Sequence, residues 1–203
     1  MSFKGLVFGA AAAALILALG SNTAVAQTQD DEAVYALSYF SNANVTGAPD
    51  AALRLVNDGA LFDASPEGDL CASIYVFDSR EELNECCSCK ITPNGILSLS
   101  VNKNLTSNTL TGIIPTRGVV KVVTSFPNAG VCDATVALPY IGVNIRGWLT
   151  HVQKATAGYS LTEEELMDSN LGQLEAADLA EDCKVIFDLG SGRGPCSCAD
   201  SLQ

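Results

Sequence analysis

Cys71-Ala72-Ser73-Ile74-Tyr75-Val76-Phe77 is an almost unbroken apolar run, rich in residues that favour extended chain. Such a run suits a strand covered on both faces and placed centrally in a sheet. Downstream, Leu97, Leu99 and Val101 alternate with Ser98 and Ser100, the period of a half-exposed strand, after a turn at Thr92-Pro93-Asn94-Gly95. Gly118-Val119-Val120-Lys121-Val122-Val123-Thr124 repeats the β-branched signature, and residues 141–152 supply a last long strand. Upstream lie two more candidates, residues 34–40 and 52–56, the second closed by Asn57-Asp58-Gly59. Residues 57–69 read as a polar loop, and residues 78–85 as a polar turn leading into a cluster of cysteines. Some six strands before any helix predict a mainly β protein, an antiparallel β-sandwich or partly open barrel.

The helix is expected last. Thr162-Glu163-Glu164-Glu165 has capping-box form, and Leu174, Ala177, Ala180, Cys183 and Phe187 recur at helical spacing. This predicts an amphipathic C-terminal helix over about 162–189 with Cys183 inward, and with Gly190 as its left-handed cap.

Residues 1–26 have the form of a cleavable signal: Lys4, an uncharged stretch from Leu6 to Leu19, then Ala24-Val25-Ala26 before Gln27. The apolar stretch is short against the roughly 20 residues that span a bilayer. Cleavage after Ala26 leaves residues 27–203, sized for a single domain. The whole chain carries a net charge of −12; without Lys4 it has 10 basic and 23 acidic residues, or −13. That charge repels phosphates, so nucleic acid is not an expected partner.

All eight cysteines, Cys71, Cys86, Cys87, Cys89, Cys132, Cys183, Cys196 and Cys198, follow the signal. An even number in an exported chain predicts disulfides. A metal centre is the competing assignment, weakened by C-x-C spacing where structural zinc usually takes C-x2-C to C-x4-C. Adjacent Cys86 and Cys87 are poorly placed to bridge each other, so both should reach distant partners. Cys196 and Cys198 are expected to fasten the C-terminal tail onto the Cys86–Cys89 cluster.

Four stretches carry a resemblance: residues 69–78, Glu85-Cys86-Cys87-Ser88-Cys89, Thr92-Pro93-Asn94-Gly95, and Gly190-Ser191-Gly192-Arg193-Gly194-Pro195-Cys196-Ser197-Cys198. Through them, and across most of the chain after residue 26, the sequence resembles a group of uncharacterised exported bacterial cysteine-containing proteins. The resemblance implies a secreted, periplasmic or cell-surface setting and no particular activity.

His151 is the sole histidine, so any Ser/His/Asp or Cys/His mechanism must use it. On a strand it shares parity with Ile145 and Leu149, which makes it the end of an apolar face. Gly190–Gly194 looks like a phosphate loop but lacks the lysine ending and follows a helix, so it reads as a cap and turn. Asp58, Asp63, Glu67 and Asp69 could gather oxygens for calcium, although no EF-hand spacing is present. Trp148 is the sole tryptophan. It is expected to pack beneath the C-terminal helix, the alternative being an exposed contact for sugar or protein beside Arg146. The sequons Asn44-Val45-Thr46 and Asn104-Leu105-Thr106 matter only in a glycosylating host. No catalytic set stands out. The functional expectation is a non-enzymatic structural, adhesion or binding protein with a protein or glycan partner. The alternatives are an exported hydrolase with a scattered site, or a pilus-like subunit that adds residues 33–40 to a neighbour's sheet.

Overall fold

The computed structural model describes residues 33–59, 68–136 and 145–199. The signal segment 1–26 lies outside the described residues, as do Asp63, Glu67 and the start of the strand expected at residue 141.

The architecture is two packed antiparallel sheets and one C-terminal helix, with no closed barrel among the described residues. Sheet A has the order β4-β3-β6-β1-β9, from β1 (Ala33–Ser41), β3 (Leu70–Asp78), β4 (Leu83–Ile91), β6 (Arg117–Ser125) and β9 (Met167–Leu171). Sheet B has the order β5-β2-β7-β8, from β2 (Ala52–Asn57), β5 (Ile96–Ser100), β7 (Ile145–Lys154) and β8 (Tyr159–Glu165). A π-helical turn, Val101–Leu105, follows β5.

The apolar run that predicts a central strand becomes β3, held between β4 and β6 and buried along both faces as far as Val76. Its Ala72, Ile74 and Val76 meet Leu53, Leu55, Leu97, Leu99 and Leu149 of sheet B in the main core. Its alternate residues serve a second core on the other side of sheet A, where Tyr35, Tyr75 and Val123 pack against Leu179, Cys183 and Ile186 of the helix α1 (Gln173–Leu189). The β3–β6 contact explains one glycine. A Cβ on Gly118 would lie 2.0 Å from the Phe77 carbonyl and 2.8 Å from the Phe40 ring.

The capping-box expectation fails. Thr162–Glu165 belongs to β8, which pairs with β7 from Trp148↔Glu165 to Lys154↔Tyr159 around a turn with Gly158 at φ +90°. Tertiary pairing outweighs the local signal, because Glu163 and Glu165 find arginine partners on sheet B. The chain crosses to sheet A at Leu166, and the helix begins only at Gln173, with Gly172 as an N-cap that has no side-chain bond.

The buried face of α1 is also turned relative to expectation. Ala176, Leu179, Ala180, Cys183 and Ile186 are buried, while Leu174 is 82% and Phe187 49% exposed. The bridge from Cys183 to Cys86 fixes this rotation. Gly190 stays right-handed at φ −70°, and Ser191 takes the left-handed conformation at φ +52°.

Strand β4 takes in residues 83–85, the end of the stretch expected to turn, and runs on through the cysteine cluster. Glu85, Cys87, Cys89 and Ile91 share a buried face, while Cys86, Ser88 and Lys90 opposite run from buried to exposed. With a carboxylate and two cysteines on the inner side, the strand shows no simple apolar periodicity.

Candidate functional site

The four bridges are Cys71–Cys132, Cys86–Cys183, Cys87–Cys196 and Cys89–Cys198, with Cα separations of 5.2 to 5.9 Å. No described cysteine is free. The alternation of a strand sends Cys86 to one face of sheet A, toward α1, and Cys87 and Cys89 to the other, toward the tail. The expected docking of Cys196 and Cys198 on the 86–89 cluster is what forms. Four disulfides are the chemistry of an oxidising compartment. Among the described residues no helix is long and apolar enough to cross a membrane.

The tail does more than end the chain. Cys86 N–H donates to the Gly194 carbonyl at 2.9 Å, and Cys196 N–H donates back to the Cys86 carbonyl at 3.1 Å, so residues 194–196 pair with the outer edge of β4. Ser197 N–H donates to the Asn104 carbonyl, and Asn104 Nδ2 to the Ala199 carbonyl. The tail thus spans from the edge of sheet A to the turn after β5 and protects an edge that would otherwise invite pairing. Asn108 clasps it further, its Nδ2 donating to the carbonyls of Gly192 and Pro195. The glycine-rich loop is a turn, as expected. Its N–H groups at Gly190, Arg193 and Gly194 are used by Ile186, Gly190 and Asn108 carbonyls.

Behind Asn108 lies a buried carboxyl. Glu85 is fully buried; Oε1 accepts the Asn108 N–H at 2.7 Å and Oε2 has no hydrogen-bond partner. Burial pushes its pKa up from 4.5 to about 7, with the Asn108 N–H pulling partly the other way.

His151 is buried in the crevice between β1, β7 and β8. Its Nε2 lies 3.0 Å from Ser38 Oγ, and its Nδ1, which has no hydrogen bond, lies 3.9 Å from Glu164 Oε2. The Tyr39 ring packs edge-on against it at 4.1 Å. The order serine, histidine, carboxylate is that of a hydrolytic triad. Ser38 is only 7% exposed and His151 1%, which leaves a nucleophile little room to meet substrate.

Trp148 is not beneath the helix. Gly147 and Leu149 turn inward from β7, so the indole stands half-buried on the outer face of sheet B, away from α1. It lies in the cross-strand row Ser98, Arg54, Trp148, Glu165. Two diagonal ion pairs bracket it: Arg54 with Glu163, and Arg146 with Glu165 at 3.3 Å. No described element covers this face.

The remaining candidates disperse. Asp69 is buried and paired with Lys90 at 3.0 Å, which takes one of the four proposed calcium ligands into an ion pair. Asn104 of the second sequon is buried with its amide engaged by the tail, and Asn44 Nδ2 donates to Thr106 Oγ1 and the Pro115 carbonyl. A groove of about 480 Å³ opens between residues 131–135 and α1, floored by Cys87 and Ser88 and flanked by Lys184, Phe187 and Asp188. The sequence signals reached the cysteines, His151 and Trp148, but not Ser38 and Glu164, which the fold brings to His151 from distant strands, nor Glu85, which it buries beside Asn108.

The chain matches no protein-family model and no curated protein. Among solved structures it is similar to a chain in the crystal structure of Thermotoga maritima 1070, at 12% identity and a TM-score of 0.40, over 68% of this chain and 95% of that one. A likeness of that size leaves function to be argued from the residues themselves.

Proposed function

We propose that this is an exported, non-enzymatic binding protein of the cell envelope or its surroundings, and that it holds a glycan on the outer face of sheet B. The supporting observation is the placement of Trp148. The sole tryptophan stands half-exposed on a sheet face that no described element covers, bracketed by Arg54–Glu163 and Arg146–Glu165. An indole gives a sugar ring an apolar platform, and guanidinium and carboxylate groups beside it can hydrogen-bond the hydroxyls. The two arginines and two glutamates balance in charge, and the rest of the chain is strongly acidic. A neutral polysaccharide therefore fits the face, whereas nucleic acids and polyanionic glycans do not.

Because Trp148 is the only tryptophan, its fluorescence reports the site directly. Titration with neutral polysaccharides should shift or quench the emission, and insoluble ones should retain the protein on a column. Trp148→Ala should abolish retention with an unchanged far-UV spectrum. Equal retention of wild type and the variant, or no response across the panel, refutes the assignment.

A second activity, hydrolysis, is favoured by the Ser38–His151–Glu164 order and opposed by its burial. A serine-directed fluorophosphonate separates the two. Labelling of Ser38 that is lost in His151→Ala would establish a hydrolase, and an unlabelled protein removes it. The pilus-like alternative has a weaker footing. Residues 33–37 already pair with β9 and residues 35–41 with β6, so the segment is built into sheet A.

A further inference from the structure

The two bridges that fasten the tail are neighbours. The Sγ atoms of Cys87 and Cys89 lie 4.0 Å apart, and those of Cys87, Cys89 and Cys198 all lie within 4.8 Å of one another. Cys196, bonded to Cys87, supplies a fourth sulfur that lies beside this group and outside its 4.8 Å limit. In a tetrahedral zinc–thiolate centre with Zn–S of about 2.3 Å, neighbouring sulfurs stand about 3.8 Å apart. The separation between the bridges is already of that size. Opening each S–S bond lets its two sulfurs spread, and the freed Cys196 side chain must then turn toward the other three.

We propose that, when both bridges are reduced, Cys87, Cys89, Cys196 and Cys198 form a four-thiolate site for one zinc ion. The balance is simple. Two molecules of a dithiol reductant each give two electrons and two protons to a bridge, becoming cyclic disulfides and leaving four cysteine thiols. Zn²⁺ then displaces the four thiol protons as it binds.

The C-x-C spacing that argued against zinc in the sequence loses its force here. Each pair lies on extended chain, where residues i and i+2 share a face, and two such pairs are brought side by side. The ligands also do not depend on the disulfides for their position. Backbone bonds from Cys86 to Gly194 and Cys196, and from Asn104 to Ser197 and Ala199, hold the tail along β4. Access is provided at one corner, since Cys198 is exposed while Cys87 and Cys89 are buried. The other two bridges take no part. In Cys86–Cys183 and Cys71–Cys132, Cys71, Cys86 and Cys183 are fully buried and Cys132 is half-buried, and Cys86 points to the opposite face of β4. A reductant that enters at Cys198 should therefore open the tail bridges first. Zinc would then keep the tail docked in reducing surroundings as the disulfides do in oxidising ones.

The test uses the full chain after residue 26, reduced anaerobically with a dithiol and freed of it by desalting. Alkylation and intact mass count the open bridges. Cobalt(II) should then give the strong visible bands of tetrahedral thiolate coordination at one ion per chain, displaced by zinc, with the near-UV circular dichroism of the oxidised protein retained. Cys87→Ser with Cys196→Ser, and separately Cys89→Ser with Cys198→Ser, should each abolish the bands. The pair Cys71→Ser with Cys132→Ser should keep them. The proposal is overturned if the reduced protein gives no cobalt bands, if it loses its near-UV signal in the presence of zinc, or if either tail double variant binds cobalt as wild type does.

Discussion

The outer face of sheet A is roofed by α1, joined to it at Cys86–Cys183 and through the Lys121–Glu175 ion pair; the outer face of sheet B carries Trp148 and four paired charges under no described element. The covered face is built from aromatic and β-branched side chains, Tyr35, Tyr75 and Val123, that require burial. The bare face alternates its apolar residues inward and leaves outward a mixture that tolerates water. A sheet that is half-exposed by design has one side free for contact, and the amphipathic indole is the residue on it with most to gain from a partner. On the proposed reading, stability and recognition are divided between the faces, with every disulfide away from the outer face of sheet B.

Breaking the roof should have the largest effect. Cys86→Ser with Cys183→Ser removes a bridge that closes a separation of 97 residues. With Cys87–Cys196 still closed, the loop released is only about 15 residues, and chain-entropy arguments put the loss at about 3 kcal/mol. Urea unfolding should show the midpoint falling accordingly, with Tyr75 and Phe77 newly exposed. Trp148 emission in the folded state should stay unchanged, because the buried face of α1 packs on sheet A and Trp148 stands on the outer face of sheet B. A shifted emission would show that the two faces are coupled.

Glu85, on the edge strand under the tail, gives the next largest effect and a pH signature. Its folded pKa of about 7 stands above its ordinary value of 4.5. The folded state therefore holds the proton more tightly than the unfolded chain. Stability from this group is fully present below about pH 4.5, falls as pH rises to about 7, and is level above that. The shift corresponds to a loss of about 3 kcal/mol across the window. Glu85→Gln cannot ionise, so urea titrations of the variant at several pH values should lack this decline. An identical slope in wild type and variant would show that Glu85 is not its source.

Much of the frame was legible in the sequence, and the reasons differ by residue. The Cys71–Phe77 run identified its strand because a segment buried on both faces leaves few alternatives. Adjacent Cys86 and Cys87 foretold separate partners because strand alternation parts their side chains. Thr162-Glu163-Glu164-Glu165 misled because a capping box is a local preference worth about 1 kcal/mol, less than a paired hairpin with cross-strand ion pairs. Trp148 is expected beneath the helix and stands elsewhere, because which sheet the helix covers is decided by long-range packing and not by any local pattern. Ser38 and His151 are 113 residues apart, and no local pattern announces a contact of that range.

The smallest effect on stability should coincide with a large effect on binding, and this is the sharpest probe of the divided faces. The Arg54–Glu163 pair is exposed, its side chains 38% and 47% accessible. Exposed pairs contribute about 0–1 kcal/mol, reduced further by salt. Arg54→Ala should therefore leave the urea midpoint nearly where it was. Arg54 stands directly across from Trp148 in the sheet, however, and supplies several donors at the edge of the indole platform. If that platform is the glycan site, column retention and the fluorescence response should weaken at least several-fold. Lys in its place should restore only part, since a single ammonium does not reproduce the planar fork of donors. Unchanged retention would confine the site to Trp148 itself, and lost stability in place of lost retention would mean that the bare face is a second structural surface.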